Sequence, residues 1–161
     1  MRVRAAHQTD AEVIAALWNG MIRNSDATFT TQEKTIKGVA ALIAERQGAF
    51  WVADAGGVQG FVTYGPFRSG PGYGAAVEHT IILADEAQRN GAGRVLMQQA
   101  VKGARMQGHH VMVAAISGAN PSAVAFHGKL EFEQVALMPQ VGRKGGKWLD
   151  LILMQKIIST P

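Results

Sequence analysis

Hydrophobic residues recur along the chain at two different spacings, which divide it into predicted helices and predicted strands. Three stretches show the spacing of a helix that buries one face. Their apolar positions are Val13, Ile14, Leu17, Trp18 and Met21 in the first, Ile36, Val39, Ala40 and Ile43 in the second, and, from about Arg94, Met97, Ala100, Val101 and Ala104 in the third. Thr9 and Glu12 predict a capping box before the first helix, and Gly48 and Gly108 predict the ends of the other two. A shorter fourth helix is predicted over residues 122–130.

The remaining apolar runs are short, rich in β-branched residues and bounded by turn residues, which is typical of strands. These runs span residues 3–6, 50–53, 58–64, 77–83, 111–116, 132–137 and 149–154. Gly56 and Gly57 predict a hairpin turn, and the uniformly apolar run at 111–116 predicts a buried central strand. The order β-α-α-β-β-β-α-β-α-β-β indicates an α/β (α+β) fold with helices on both faces of one mixed sheet. We expect a single domain over residues 1–161.

The amino-acid composition excludes several classes of function. The 161 residues are 47% hydrophobic and 17% charged, which indicates a folded globular protein. The chain has no cysteine, which excludes disulfides, thiolate metal ligands and a cysteine nucleophile. No apolar run approaches the roughly 18 residues of a membrane-spanning helix, and the N-terminus lacks the apolar stretch of a secretory signal. We therefore expect a cytoplasmic protein with no membrane partner.

The net charge of +4 leaves open a polyanionic partner, a small anionic ligand or neither. The basic residues are scattered and no aromatic-basic stripe accompanies them, so we predict no nucleic-acid partner. His79, His109 and His110 raise the hypothesis of a metal site. Because adjacent positions on a strand point to opposite faces, these histidines do not form one ligand set, and no metal is predicted.

Residues 88–95, with the sequence QRNGAGRV, place three small residues between a predicted strand and a predicted helix. A helix start offers unpaired N–H groups and a partial positive charge, and glycine leaves room for an anion to approach them. This turn therefore predicts a phosphate cradle; the alternative is an ordinary loop before a helix. The P-loop and dinucleotide-binding patterns of glycines are both absent from the sequence.

Gln88-x-x-Gly91-x-Gly93 resembles the Q/R-x-x-G-x-G/A signature of the GNAT superfamily of N-acetyltransferases, and the predicted element order is similar to that fold, whose sheet is mostly antiparallel. Nearly the whole chain resembles the phosphinothricin and methionine sulfoximine/sulfone acetyltransferases of that superfamily. The stretches that carry this resemblance are Trp18-Asn19, Ala27-Thr28-Phe29, Phe67-Arg68, Val77-Glu78-His79-Thr80, HVMVAAI at 110–116, MPQVG at 138–142 and KWLDLILMQ at 147–155.

The resemblance implies that acetyl-CoA is the co-substrate, with its pyrophosphate on the glycine turn. The residues implied to contact it are Ile81, Ile82, Leu83, Gln88, Arg89, Asn90, Gly91, Ala92, Gly93, Arg94 and Asn120. Backbone N–H groups around Ile81 to Leu83 would stabilise the oxyanion. Asn120 would bind the pantetheine arm or order the turn before the fourth helix.

The implied reaction is direct acetyl transfer to a primary amine, which must lose a proton before it attacks the thioester. Glu78 is the predicted base; the alternative is an ordinary strand carboxylate. His127 occupies the position of a tyrosine that is frequent in the superfamily. It would either protonate the leaving thiolate or only bind the ligand, and the alternative is a buried structural histidine.

The implied acceptor side departs from the subfamily at several positions. Its predicted residues are Phe29, Arg68, Tyr73, Gly74, Ala75, Ala76 and Glu78, with Trp148 nearby. Gly74 and Ala76 stand where relatives carry an arginine and a threonine, so a carboxylate partner is missing unless Arg68 or Arg143 replaces it. Glu131 replaces a turn glycine, which costs about 1 kcal/mol if φ is positive there. Other amines, a protein or peptide acceptor, and a non-catalytic acyl-CoA-binding role stay open, and the resemblance implies a homodimer.

Overall fold

A computed structural model describes residues 1–159 as one seven-stranded sheet covered by four α-helices. In chain order the elements are β1 (Arg2–Ala5), α1 (Ala11–Asn24), α2 (Ile36–Glu45), β2 (Phe50–Asp54), β3 (Val58–Pro66), β4 (Ala76–Leu83), α3 (Ala92–Met106), β5 (Val111–Ser117), α4 (Pro121–Lys129), β6 (Glu133–Lys144) and β7 (Lys147–Ile157). The predicted architecture and element order are therefore confirmed.

The sheet order is β1-β2-β3-β4-β5-β7-β6, and every neighbouring pair is antiparallel except β4 with β5. The central position predicted for β5 is confirmed. The hairpin turn at Gly56 and Gly57 is also confirmed, since both have positive φ and both amides donate to Asp54 Oδ1 at 3.1 Å. None of the helices in residues 1–159 combines the length and the apolar character that a membrane crossing requires.

Alternation along the strands gives the sheet two buried faces. One face packs under α1 and α2, around Ile14, Val39 and Phe61. The other packs under α3 and α4, around Leu96 and Met112. Burial of this kind contributes about 25 cal/mol per Å² of apolar surface, so the two layers supply most of the stabilisation. Each face also presents a different set of side chains from β4.

The predicted capping box at Thr9 and Glu12 is wrong. A short 3₁₀ helix, Gln8–Asp10, precedes α1, and His7 caps it while the His7 amide donates to Asp10 Oδ2 at 2.8 Å. Asp10 is fixed there because Arg4 binds both of its carboxylate oxygens, at 2.9 and 3.0 Å. Val13, predicted on the buried stripe, is 44% exposed, because it lies outside the buried stripe of α1. That stripe consists of Ala11, Ile14, Ala15, Asn19 and Ile22.

The C-terminal strands are longer than predicted, because β6 and β7 continue as a hairpin to Lys144 and Lys147. The extension is polar or exposed, so it lacks the apolar run that marked the inner part. Glu131, in the turn before β6, has a φ of 67°. The condition under which this glutamate costs about 1 kcal/mol, a positive φ, is therefore met.

Candidate functional site

The strands β4 and β5 run side by side for three residues and then part. Their paired residues are Ala76 with Val111, Val77 with Met112 and Glu78 with Val113. Beyond Glu78, β4 continues to Leu83 and β5 to Ser117 without pairing with each other. Glu78 therefore stands at the apex of a cleft between two central strands.

Backbone amides of β4 line this cleft at alternate positions. The Ala84 amide and the Ala76 carbonyl both bond to the β3 side, at 2.8 and 3.2 Å, so even-numbered residues of β4 face β3. The amides of Ile81 and Leu83 consequently point into the cleft, where they have no strand partner. Ile82 faces β3 instead, so its amide is not available as an oxyanion donor, contrary to the sequence-based expectation.

The glycine turn before α3 has the conformation of an open helix start. Gly91 caps the helix with a φ of 90°, and a Cβ added there would meet no atom within 4 Å. The Asn90 side chain accepts a bond from the Ala92 amide at 3.1 Å. The amides of Gly93 and Arg94 have no carbonyl one turn earlier in the helix to accept them. The turn therefore presents free donors to an uncrowded surface.

Gly93 is small for a different reason. A Cβ on Gly93 would lie 3.1 Å from the Phe126 ring and 3.3 Å from Leu83, so the residue is a packing contact between α3, α4 and β4. The two glycines of the motif thus answer separate needs, since one allows the backbone conformation and the other allows close packing.

Charged and polar side chains surround the turn. Gln88, Arg89 and Arg94 are exposed, and Arg89 adopts a φ of 67° that holds the chain in a tight curve. The Gln88 side chain donates to Asp85 Oδ1 at 3.2 Å. Two cations beside unpaired helix amides make this surface suitable for a pyrophosphate.

Glu78 is half-buried on the face of the sheet that α1 and α2 cover. Burial raises the pKa of its carboxyl, and the positive charge of Arg46 partly opposes that rise. A carboxylate with a raised pKa is better matched to proton transfer near neutrality than an ordinary one. Arg46 follows α2 and was not identified from the sequence, because an arginine at a helix end usually lies in solvent.

His127 lies on the opposite face of the sheet, where it bonds to His79. Their Nε2 atoms are 2.9 Å apart, and His127 Nδ1 lies 2.7 Å from the Ala123 carbonyl oxygen. Since a carbonyl only accepts, His127 Nδ1 carries the proton and its Nε2 accepts from His79 in the neutral pair. Burial lowers the pKa of both rings. Neutral His127 therefore has no proton free for a ligand.

His79 Nδ1 is buried and makes no hydrogen bond with residues 1–159. In the sequence, His79 drew attention only through a metal-site hypothesis that was rejected. Its pairing with His127 depends on the distance between β4 and α4, which the sequence does not contain. No group of three or more metal-binding side chains occurs in the part of the chain that is described.

Asn120 caps α4, since its side-chain oxygen accepts from the Ala123 amide at 3.3 Å and from Ser122 Oγ at 3.0 Å. This confirms that it orders the turn before the helix. Its predicted contact with a pantetheine arm stays a prediction.

The predicted acceptor residues form separate groups around the cleft. Phe29 packs on Gly142 of β6, so closely that a Cβ on Gly142 would overlap its ring. The Lys144 ammonium holds this loop by donating to the carbonyls of Ile22, Ser25 and Thr28 at 2.7 to 2.9 Å. Sequence patterns did not predict this anchor, because lysines on a hairpin are usually solvated.

Arg68 and Tyr73 are brought together in the exposed segment between β3 and β4, where the guanidinium carbon lies 5.4 Å from the ring centre. Gly74, Ala75 and Ala76 complete this segment. Arg143 stacks similarly on the exposed Trp148, at 4.4 Å. Both arginines proposed as substitutes for the missing one are therefore engaged with aromatic rings.

Comparisons with known proteins agree with this geometry. Residues 3–153 match the model of the acetyltransferase (GNAT) domain. An L-methionine sulfoximine/L-methionine sulfone acetyltransferase from Pseudomonas aeruginosa is 37% identical over 158 residues, which cover 95% of this chain and 92% of that protein.

Two solved structures extend the likeness to the whole fold. An acetyltransferase from Salmonella typhimurium, solved with its cofactor acetyl-CoA, has a TM-score of 0.95 and 33% identity, covering 100% of this chain and 95% of that one. A GNAT phosphinothricin acetyltransferase from Sinorhizobium meliloti in complex with acetyl-CoA has a TM-score of 0.93 and 31% identity, covering 98% and 88%. With its glycine turn, parted strands and matching length, this chain belongs to the GNAT family of acetyltransferases.

Proposed function

We propose that this enzyme transfers the acetyl group of acetyl-CoA to the primary amine of a small amino acid of the methionine sulfoximine, methionine sulfone or phosphinothricin type. The single observation that carries the proposal is the cleft that opens beyond Glu78. It places a half-buried carboxylate next to unpaired amides, within a fold whose relatives bear those substrate names.

The residues present fit acetyl-CoA. The open turn at Gly91 and the unpaired amides of Gly93 and Arg94 suit its pyrophosphate, and exposed Arg89 and Arg94 add positive charge. The cleft between β4 and β5 suits the extended pantetheine arm, since a strand edge there offers hydrogen bonds that no other strand takes. Acetyl-CoA supplies an activated thioester carbonyl when bound.

In the proposed reaction, Glu78 accepts a proton from the ammonium group of the acceptor, either directly or through a water molecule. The neutral amine then attacks the thioester carbonyl and forms a C–N bond. The C–S bond breaks, and the leaving CoA thiolate takes up the proton that the attacking nitrogen loses, so the products are the N-acetylated acceptor and free CoA. The amides of Ile81 and Leu83 donate to the thioester oxygen as it becomes negative. Fixed dipoles directed at such developing charge accelerate a reaction most.

For His127 we propose a positioning role rather than proton donation. Its Nδ1 proton is held by the Ala123 carbonyl and its Nε2 by His79, so the pair ties α4 to β4 beside the cleft. A direct donor would need one more proton on the pair, which the lowered pKa of both rings disfavours near neutrality.

We also propose that the enzyme works in the cytoplasm as a homodimer. The cysteine-free composition accords with a reducing compartment. The edge strand β6 exposes four apolar side chains, Val135, Leu137, Met138 and Val141, each at least 42% accessible. An exposed apolar edge of this kind is suited to burial against a second copy.

The test is CoA release from acetyl-CoA, with product masses, against methionine sulfone, methionine sulfoximine, phosphinothricin, common amino acids, a polyamine and a short peptide. N-acetylation of the sulfone or sulfoximine is expected. Turnover of the peptide or polyamine alone would replace the proposed acceptor. Binding of acetyl-CoA with no acceptor at all would instead indicate a non-catalytic acyl-CoA-binding protein.

A further inference from the structure

Arg46 is a half-buried cation that forms no ion pair with an acidic residue in the described part of the chain. Within residues 1–159, no carboxylate oxygen lies within 4.0 Å of its guanidinium. Its Nη1 donates one long bond, to Thr63 Oγ1 at 3.4 Å, and the hydroxyl proton of Thr63 is given to the Ala49 carbonyl. A guanidinium has five N–H donors, so most of its capacity is unused. A partly desolvated cation in this state is stabilised when an anion binds.

The guanidinium lies against β3 directly beside Glu78. A Cβ built on Gly65 would lie 2.5 Å from Arg46 Nη2 and 2.9 Å from its Cζ. Gly65 is the antiparallel partner of Glu78, and directly opposite residues in such a pair have Cβ atoms about 4.5–5.5 Å apart. Arg46 and Glu78 are therefore neighbours on one face of the sheet, too far apart to satisfy each other.

Arg46 is positively charged, Glu78 is negatively charged, and the two lie side by side without contact. A free amino acid carries the complementary pair, a carboxylate and an ammonium group attached to the same carbon. We propose that Arg46 binds the carboxylate of the acceptor amino acid while Glu78 takes the proton from its amine. This inference rests on the proposed function and names the feature that all of its substrates share, the free α-carboxylate.

The proposal also accounts for the sequence departure at Gly74. Relatives are expected to carry an arginine there, whereas this chain has a glycine in an exposed segment. Arg68 and Arg143 are stacked on Tyr73 and Trp148. Arg46 is instead directed at the neighbour of Glu78, and the missing side chain at Gly65 makes the room for it.

The experiment compares kcat/KM for L-methionine sulfone and for its carboxamide, in the wild type and in Arg46→Gln, Gly65→Ala and a matched control, Arg23→Gln. Arg23 is exposed and pairs with Glu33 at the far end of α1. The preference for the acid over the amide should fall by about 100-fold in Arg46→Gln. It should fall by about 10-fold in Gly65→Ala, which keeps the charge but displaces it, and should not change in Arg23→Gln.

Equal losses for acid and amide in Arg46→Gln would overturn the proposal, because Arg46 would then only adjust the ionisation of Glu78. A wild type without preference for the acid would overturn it as well. So would loss of the preference in Arg68→Gln or Arg143→Gln instead.

A second measurement separates this inference from the proposed function. Calorimetric binding of N-acetyl-methionine sulfone, which has the carboxylate but no basic amine, should weaken at least 10-fold in Arg46→Gln and should be retained in Arg23→Gln. Binding that depends on Arg46 without turnover of any amine would sink the proposed function alone. If the amine is acetylated but binding of N-acetyl-methionine sulfone is unchanged in Arg46→Gln, this inference alone is wrong. Arg46→Lys, which keeps a positive charge, should restore part of the lost binding if the charge is what matters.

Discussion

Two arginines in this protein differ in how many of their N–H donors are bonded to acidic side chains. Arg4 binds both oxygens of Asp10 and a third carboxylate oxygen on Asp54 at 2.9 Å; we call these three residues the Arg4 cluster. Arg46 has one long bond to a hydroxyl, and no carboxylate of residues 1–159 forms an ion pair with it. We call Arg46, Gly65 and Glu78 the Arg46 site.

The difference shows how to separate structural polar groups from functional ones in one molecule. The Arg4 cluster joins β1, the turn before α1 and the end of β2, and its bonding capacity is nearly full. The Arg46 site leaves donors and a carboxylate unmatched beside a cleft. The same fold satisfies most of the donors of Arg4, so the unused donors of Arg46 accord with the carboxylate ligand that we propose.

The largest effect is expected from the carboxylate of the Arg46 site. Glu78→Gln removes the proposed base without changing its shape, so kcat should fall by about 10²–10⁴-fold. Steady-state acetylation of methionine sulfone measures this, with the exposed Glu12→Gln as control. An activity within a few-fold of wild type would show that another group deprotonates the amine.

The matching change in the Arg4 cluster should affect folding and leave catalysis alone. Asp10→Asn weakens the charge-assisted bonds to Arg4 and to the His7 amide, which should lower the free energy of unfolding by about 2 kcal/mol. Urea denaturation measures the loss, and kcat/KM in native buffer should match wild type. A catalytic defect without loss of stability would break the comparison.

The two carboxylates should also respond to pH with opposite signs. Arg4 lowers the pKa of Asp10, so its contribution to stability is present above the unfolded value of 3.8 and is lost as pH falls through the folded pKa. Burial raises the pKa of Glu78, so its contribution is present below 4.5 and is lost as pH rises through the folded pKa. Relative to wild type, Asp10→Asn should recover in acid, and Glu78→Gln should gain stability as pH rises above the unfolded value of 4.5. Denaturation curves that move in parallel at every pH would refute this.

The smallest effect concerns a residue in neither region. Glu131 has a φ of 67°, and Glu131→Gly should raise the free energy of unfolding by about 1 kcal/mol. Its ion pair with Lys156 is highly exposed on the glutamate side, so losing it should subtract little. Thermal unfolding measures the gain, and a loss would mean that the ion pair outweighs the backbone strain.

Sequence reasoning found the elements whose apolar residues are periodic and missed those fixed by distant contacts. The helices and inner strands were predicted because each buries one stripe or face. The outer halves of β6 and β7 are exposed, so no hydrophobic pattern marked them. The capping box was assigned to Thr9 and Glu12 because they fit the pattern, whereas Arg4 fixes Asp10 in that role from another element.

The same limit applied at the site. The glycine turn and Glu78 could be predicted because each lies in a short motif whose residues are neighbours in the sequence. Arg46 could not be found, since its position depends on a missing side chain on another strand, at Gly65. His79 and His127 are 48 residues apart, and no pattern in either segment predicts the hydrogen bond between their rings.

The short pairing of β4 with β5 has a consequence for how the molecule holds together. The sheet consists of two antiparallel halves, β1 to β4 and β5 to β7. Within residues 1–159 the strand pairing between them covers only Ala76–Glu78, next to the Ala75 carbonyl, which accepts from the His110 and Val111 amides. Such halves are natural candidates for separate cooperative units in hydrogen exchange. The pantetheine arm of acetyl-CoA, lying in the cleft, would bridge the two halves as an added strand would. Binding of the co-substrate would then couple the local unfolding of one half to that of the other, and its release would uncouple them.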